Sequence, residues 1–337
     1  MKNFNWCVIG AGGIADRRTI PGLLLDDGSK LVAVMDKSPA IAEAVGKKYG
    51  VPYFSDEKEM LETVDCDAVY ISTPVMCHYE QAMLALEYGR HVLLEKPVAS
   101  SSEDSEKLVS AFKKAGKQLS IGYMMKQHNL HAKAKEIISA DGIGQIVNVR
   151  AQFCCWYPDI PGAWRQIKAL GGGGAMMDLG VHCLELIEYV MGEEITEVKS
   201  LFSTLTFSYE VEDSAIVVFR TASGALGHVD VNFNIPDPAS ESKLEFYGTK
   251  GYVICKGTLA QAEVGTLSHL YAPQADYEAA QNRTVPTPVE YLGEEGNLYT
   301  KQIKAFREQV QSGQLDYFYA DRAVQIQKLV DMIYGEN

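Results

Sequence analysis

Short apolar runs separated by amphipathic stretches fill the first 123 residues of the chain. Asn5–Ile9, Lys30–Asp36, Asp67–Thr73, His91–Glu95 and Gln118–Tyr123 are predicted strands; Pro39–Tyr49, His78–Tyr88 and Glu103–Ala115 are predicted helices between them. The runs are apolar on successive rather than alternate residues. That pattern suits strands buried on both faces, and helices between such strands suit βαβ crossovers. Ser100 with Glu103 makes a candidate capping box, and Gly89 and Gly116 stand where helices should stop. Residues 1–123 are therefore expected to form a doubly wound α/β domain.

The pattern then changes. Leu130–Ala140 and Asp178–Val190 are predicted helices on either side of a long strand, Gln145–Trp156. Glu197–Phe207, Ser214–Phe219, Ala225–Phe233, Lys243–Tyr247 and Tyr252–Cys255 follow one another without intervening helices. Turn signals at Ser223-Gly224 and from Gly248 to Gly251 predict hairpins and a largely antiparallel sheet. Residues 258–295 read as loop-rich, and two helices, Asn297–Gln311 and Ala320–Ile333, close the chain. Residues 124–337 are thus expected to be a second, α+β domain.

Length agrees with two cores, because 337 residues exceed the roughly 250–300 at which a single core usually splits. A net charge of -13 argues against a nucleic-acid partner, whose phosphates need a basic surface. No apolar stretch reaches the roughly 18 residues of a membrane span, and Met1 to Trp6 run straight into a strand without a secretory pattern. The seven cysteines are odd in number and form no C-x-x-C pair, which fits reduced thiols in a cytoplasmic enzyme. Adjacent Cys154 and Cys155 read as packing residues of a strand.

Gly10-Ala11-Gly12-Gly13-Ile14-Ala15 follows the first strand and fits G-x-G-x-x-A. Gly10 suits a tight turn, Gly12 lets backbone approach a pyrophosphate, and Ala15 permits close helix–strand packing. The helix that starts there offers free N–H groups and the positive end of its dipole to phosphates. Asp36 ends the second strand, where a carboxylate bonds ribose hydroxyls and repels a 2′-phosphate; NAD is favoured, while Lys37 leaves NADP open. Glu95-Lys96-Pro97 closes another strand, at the edge where open α/β sheets bind ligands. A lysine there can stabilise an alkoxide during hydride transfer; an ion pair and a turn is the alternative.

Gly171 to Gly174 form a glycine run whose backbone can approach a ligand, and Asp178 and His182 follow it four residues apart on one helical face. The pair suits a histidine general base and a carboxylate that orients it or binds the same hydroxyl. A capping aspartate with a buried structural histidine would use the same spacing. His128 and His131 lack the cysteines or carboxylates that would complete a zinc site, so no metal is expected. His91, His228 and His269 read as structural or surface residues.

Taken together, G-x-G-x-x-A, the stretch Thr73-Pro74-Val75-Met76-Cys77-His78, Gly89-Arg90-His91-Val92, Glu95-Lys96-Pro97 and the glycine-rich D-x-x-x-H segment resemble the Gfo/Idh/MocA oxidoreductases over almost the whole chain. The resemblance implies an N-terminal Rossmann domain and a C-terminal open, mainly antiparallel β-sheet domain with helices on one face, which frames the substrate and mediates homodimers or homotetramers. It implies Lys96, Asp178 and His182 as the catalytic trio. It places Gly10, Gly12, Gly13, Ile14, Ala15, Asp36, Lys37, Thr73, Pro74, His78, Glu95 and Lys96 along the dinucleotide. Substrate contacts would come from Tyr123, Lys126, Trp164, Arg165, Asp178 and His182. Many members have an asparagine and arginines after Gly-Phe or Gly-Tyr, where this chain reads Gly122-Tyr123-Met124-Met125-Lys126. Trp164-Arg165 resembles the Trp-Arg of sugar-acting members: the indole can stack on a sugar ring and the guanidinium can donate to its hydroxyls.

The expected activity is hydride transfer between a nicotinamide and a carbon of a sugar, sugar derivative or cyclitol. Two alternatives use the same fold. A non-catalytic dinucleotide-binding regulator would not need the trio, and a glycosidase working through transient oxidation would cleave glycosides without net reduction of NAD.

Overall fold

The computed structural model of the chain describes residues 3–274, 276, 277, 279 and 286–335. Its Cα positions group into two units. The first takes the chain up to Met124 together with Leu170–Gly172 and Asn297–Lys328; the second takes Met125–Ala169, Gly173–Gly296 and the residues from Leu329 on.

Six strands build the first unit: β1 Phe4–Ile9, β2 Ser29–Met35, β3 Tyr53–Phe54, β4 Ala68–Ile71, β5 His91–Leu94 and β6 Leu119–Ile121. They form one sheet in the order β3-β2-β1-β4-β5-β6, parallel throughout. This is the doubly wound order, and the chain reverses its direction of build between β1 and β4. Trp6, Cys7, Val8 and Ile9 of β1 are fully buried, as the unbroken apolar run required. Ser101, one residue after the expected cap, accepts from the Asp104 amide and starts the helix Ser102–Ala115, which Gly116 ends in the left-handed region.

The helix Leu298–Ser312 belongs to this first unit by contact, although a cut of the chain at residue 123 assigns it to the second. Phe306 lies 5.1 Å from the Trp6 ring, and Thr300 donates to the Gly22 carbonyl. Arg307 meets buried Asp26 in a two-pronged ion pair at 2.7 and 2.9 Å. Burial pushes the Asp26 carboxyl up, but Arg307 and Ser29 more than offset it and hold it below the usual range.

The second unit carries eight strands among the described residues: β7 Ile146–Cys154, β8 Ile195–Ser203, β9 Ser214–Thr221, β10 Leu226–Asn232, β11 Lys243–Gly248, β12 Gly251–Lys256, β13 Thr266–Tyr271 and β14 Val289–Leu292. Their order is β14-β13-β12-β11-β7-β10-β9-β8, antiparallel except for the β7–β10 pair. One face, with Val149, Val217, Val229, Phe246 and Val253 buried, is packed by the helices Asn129–Ser139 and Val181–Met191. The other face shows Leu201, Ile216, Val218 and Leu226 beside charged residues of both signs.

Two differences from the sequence pattern have physical causes. The expected strand 197–207 leaves the sheet after Ser203, because the buried Asp213 carboxylate draws in the three consecutive amides of Leu205, Thr206 and Phe207, which an extended strand cannot turn toward one acceptor. β13 and β14 lie inside the stretch expected to be loop: β14 is an edge strand with three of four residues exposed, so no buried face marks it in the sequence. Among the described residues no helix is long and apolar enough to cross a membrane.

Candidate active site

In the first unit the glycine turn leaves β1 where the sheet order reverses. Gly10 has φ +81°, and a Cβ there would lie 2.8 Å from Thr73 Cγ2 and 2.9 Å from the Ser72 carbonyl carbon. Only glycine fits both the dihedral and the approach. Ser72 Oγ donates to the Gly10 carbonyl, so the turns after β1 and β4 are tied together at the carboxyl edge of the sheet. Asp36 Oδ2 accepts from the Gly12 amide at 3.1 Å, and Oδ1 accepts from Ser38 at 3.0 Å. Each carboxylate oxygen keeps a lone pair for a ribose hydroxyl. A Cβ on Gly12 would sit 3.1 Å from Ile41 and 3.4 Å from that carboxylate, filling the space a pyrophosphate-ribose would need. The residues present fit a dinucleotide. Gly13 and Lys37 are exposed, and Ile14 and Ala15 lead into the wide turn Ala15–Thr19.

Thr73, Pro74, Glu95 and Lys96 are half-buried on the neighbouring turns. Thr73 donates to Gln81, and Glu95 accepts from the Tyr70 hydroxyl at 2.6 Å, which itself accepts from Thr19. Burial and the Glu95 charge hold the Tyr70 phenol well above its ordinary range, so it stays a donor. His78 differs from its expected place along the dinucleotide. It is buried, with Nδ1 2.8 Å from the Pro97 carbonyl and Nε2 3.0 Å from the Thr73 carbonyl. A neutral imidazole has one N–H, so the ring donates to one of these two carbonyls, whichever its tautomer selects, and packs against the other. Burial, helped by the Lys96 charge, depresses its pKa below the histidine range, so the ring is neutral.

In the second unit Asp178 sits in a wide turn, Met176–Gly180, that runs directly into the helix Val181–Met191 carrying His182. Wide turns of this type recur at functional positions. Arg165 Nε lies 3.5 Å from Asp178 Oδ1, and the guanidinium covers the Trp164 ring at 4.3 Å. Trp164, Arg165 and Asp178 are half-buried, and His182 is buried.

Two expected substrate residues are placed otherwise. Lys126 is mostly buried, 3.7 Å from buried Glu185, so its charge is neutralised one helical turn beyond His182. Tyr123 is only 1% exposed and belongs to the first unit's core. Two glycines of the run, Gly173 and Gly174, are also required by packing within the protein. A Cβ on Gly173 would lie 2.0 Å from the Tyr334 hydroxyl, and one on Gly174 would lie 1.9 Å from the Glu212 carbonyl oxygen. The protein's own groups fill that space.

Sequence reasoning passed over Tyr157. It lies in the electrostatic field of Arg165 and Asp178, its ring packs on Phe233 at 4.9 Å, and its amide donates to the Phe233 carbonyl. Burial raises its pKa, so it remains a phenol. The signal was available: Val149 and Ala151 point to the helix side of β7, and the same alternation continued to 157 aims Tyr157 there too. Cys154 is buried and Cys155 half-buried, and burial pushes the Cys154 thiol up. His131 bonds the Met125 carbonyl and Thr258, and burial drives its pKa down to about 3; His128 bonds the Val264 carbonyl. Both serve packing.

Residues 4–123 match the oxidoreductase family with an NAD-binding Rossmann fold, and residues 131–254 match the GFO/IDH/MocA C-terminal domain. The 1,5-anhydro-D-fructose reductase of Ensifer adhaerens is 28% identical over 265 residues, 78% of this chain and 79% of that protein. The scyllo-inositol 2-dehydrogenase (NAD(+)) of Bacillus subtilis is 30% identical over 246 residues, 72% of this chain and 70% of that protein. In fold, the chain superimposes on the aldose-aldose oxidoreductase of Caulobacter crescentus with a TM-score of 0.86 at 24% identity, covering 99% of this chain and 97% of that one.

Proposed function

The chain belongs to the Gfo/Idh/MocA oxidoreductases, NAD(P)-dependent enzymes of sugar hydroxyl and keto groups, and from that premise we propose that it interconverts an alcohol and a ketone on a pyranose-type sugar or cyclitol. The observation that carries the reading is the arrangement of Arg165, Asp178, Trp164 and Tyr157. A fixed guanidinium, a carboxylate, a phenol and an indole suit a ring edged with hydroxyls.

Bound NAD supplies a two-electron acceptor for the hydride. In the oxidation direction His182 takes the hydroxyl proton, Lys96 stabilises the developing oxyanion, and Asp178, held by Arg165, fixes the hydroxyl or orients the base. Screening myo-inositol, D-glucose, D-xylose and methyl β-D-glucoside with NAD and NADP, and 1,5-anhydro-D-fructose with the reduced coenzymes, tests the activity by absorbance. No change with any of them would overturn the sugar reading. Retention of Lys96, Asp178 and His182 favours an enzyme over a silent regulator.

NAD should be preferred over NADP. The Asp36 carboxylate lies where a ribose hydroxyl binds and would repel a 2′-phosphate. Asp36→Ser is expected to narrow the preference by raising KM for NAD, with Lys37 then free to meet a 2′-phosphate. A parent enzyme that prefers NADP tenfold, about 1.4 kcal/mol, would refute this account.

The uncovered face of the second sheet points to a second copy of the chain. Leu201 (77% exposed), Ile216, Val218 and Leu226 lie beside a hollow of about 300 Å³ lined by Arg150, Gln152, His228, Asp230, Lys243 and Glu245. Apolar residues with both charge signs make a self-complementary surface. A homodimer or homotetramer is expected, and a monomeric mass by light scattering at micromolar concentration would contradict it. The seven free cysteines suit a reducing cytoplasm.

A further inference from the structure

The turn that carries Asp178 is held from outside by two residues that no motif marks. Glu212 precedes β9, and Tyr334 lies in the last helix, Phe318–Gly335. Glu212 Oε1 accepts from the Met176 amide at 3.0 Å and from the Tyr334 hydroxyl at 2.7 Å. The Glu212 carbonyl accepts from the Ala175 amide at 3.0 Å. Two amides at the start of a helical turn, which lack partners within it, are thus satisfied by one residue. The Gly174 carbonyl then accepts from the Asp178 amide at 3.0 Å, so the reach of Glu212 extends to the carboxylate-bearing residue itself.

Further contacts back the pair. Tyr334 packs edge-on against Phe202 of β8 at 5.0 Å. Asp213, next to Glu212, accepts from the amides of Leu205, Thr206 and Phe207, and its carbonyl accepts from Phe233 of the β10 extension. Gly173 and Gly174 leave room for the Tyr334 hydroxyl and the Glu212 backbone, so these two positions are glycine because the clamp passes beside them.

We infer that Glu212 and Tyr334 are positioning residues, which set the register of the Met176–Gly180 turn and so the aim of Asp178 and His182 at the reacting hydroxyl. The inference rests on the catalytic reading of those two side chains. Catalytic groups held by locked supporting contacts lose rate when displaced by about 1 Å, by up to about 10²-fold. Neither positioning residue needs to touch the substrate or the coenzyme for this effect.

Tyr334→Phe removes one hydroxyl and keeps the ring. It is expected to lower kcat about tenfold on the best substrate of the screen above while KM changes less than about twofold. NADH affinity by fluorescence should be unchanged. Amide exchange over residues 174–180 should be faster. Glu212→Gln keeps a carbonyl acceptor for both donors and should stay within about threefold of the parent in kcat, whereas Glu212→Ala should fall at least as far as Tyr334→Phe. Unchanged kcat in Tyr334→Phe, unchanged exchange over the turn, or Gln no better than Ala would overturn the inference. A parent protein inactive on every compound of the screen would remove the sugar reading instead, and exchange over 174–180 would then decide the clamp by itself.

Discussion

His182→Ala is expected to lower kcat by about 10²–10⁴-fold, the range of a lost general base, with NADH affinity unchanged. Lys96→Ala should fall by a similar factor if the developing oxyanion loses its charged partner. The two residues stand on different elements: Lys96 after β5 of the first unit, His182 in the helix Val181–Met191 of the second. A shared loss of kcat is therefore hard to produce by damage to one element. Unchanged NADH affinity is expected of His182→Ala alone, since Lys96 is also expected along the dinucleotide. Asp178→Asn should cost less in kcat than either, and should raise KM if its carboxylate holds the substrate, since the Arg165 contact at 3.5 Å also depends on that charge. Steady-state kinetics on folded variants, with NADH affinity from fluorescence, decides between these outcomes. Normal turnover in both His182→Ala and Lys96→Ala would remove them from the mechanism, while the coenzyme site would stand.

Gly174→Ala should destabilise the second unit by about 3 kcal/mol or more, at the upper end of overpacking costs. Its new Cβ would lie 1.9 Å from the Glu212 carbonyl oxygen and about as close as 2.9 Å to the carbonyl carbon, and both are backbone atoms that cannot rotate away. The turn itself has to shift, so activity should fall further than stability alone explains. Gly335→Ala is the matched control, because nothing lies within 4 Å of its added carbon. Thermal unfolding of both variants is the measurement; a Gly174→Ala melting point within about 1 °C of the parent would be smaller than 1 kcal/mol produces and would contradict the steric argument.

Some of the site was legible because its chemistry is local. Gly10, Gly12 and Asp36 are linked by a turn and one strand, and the backbone geometry such a turn requires restricts which residues can occupy it. Asp178 and His182 stand on a wide turn and on the helix that directly continues it, so their closeness along the chain was readable from the sequence. Other parts were not legible, for physical reasons that differ. Lys126 looks free in sequence, and only the fold brings Glu185 within 3.7 Å of it. His78 reads as a ligand contact until its two nitrogens are found on the Thr73 and Pro97 carbonyls. The glycine run reads as a bed for a ligand, whereas Glu212 and Tyr334 occupy the room that Gly173 and Gly174 leave.

By itself the sequence determined most of the element types, the parallel sheet, the coenzyme turn and the family. These rest on periodicity and on short-range backbone requirements, which a linear pattern carries. Tertiary structure alone decided which core the helix Leu298–Ser312 completes, where the 197–207 segment leaves the sheet, and what holds the Asp178 turn. An amphipathic pattern states that one face of a helix will be buried and is silent on the partner. A carboxylate such as Asp213 or Glu212 likewise carries no mark of the distant amides it will accept from, because that pairing exists only once the chain has closed the distance.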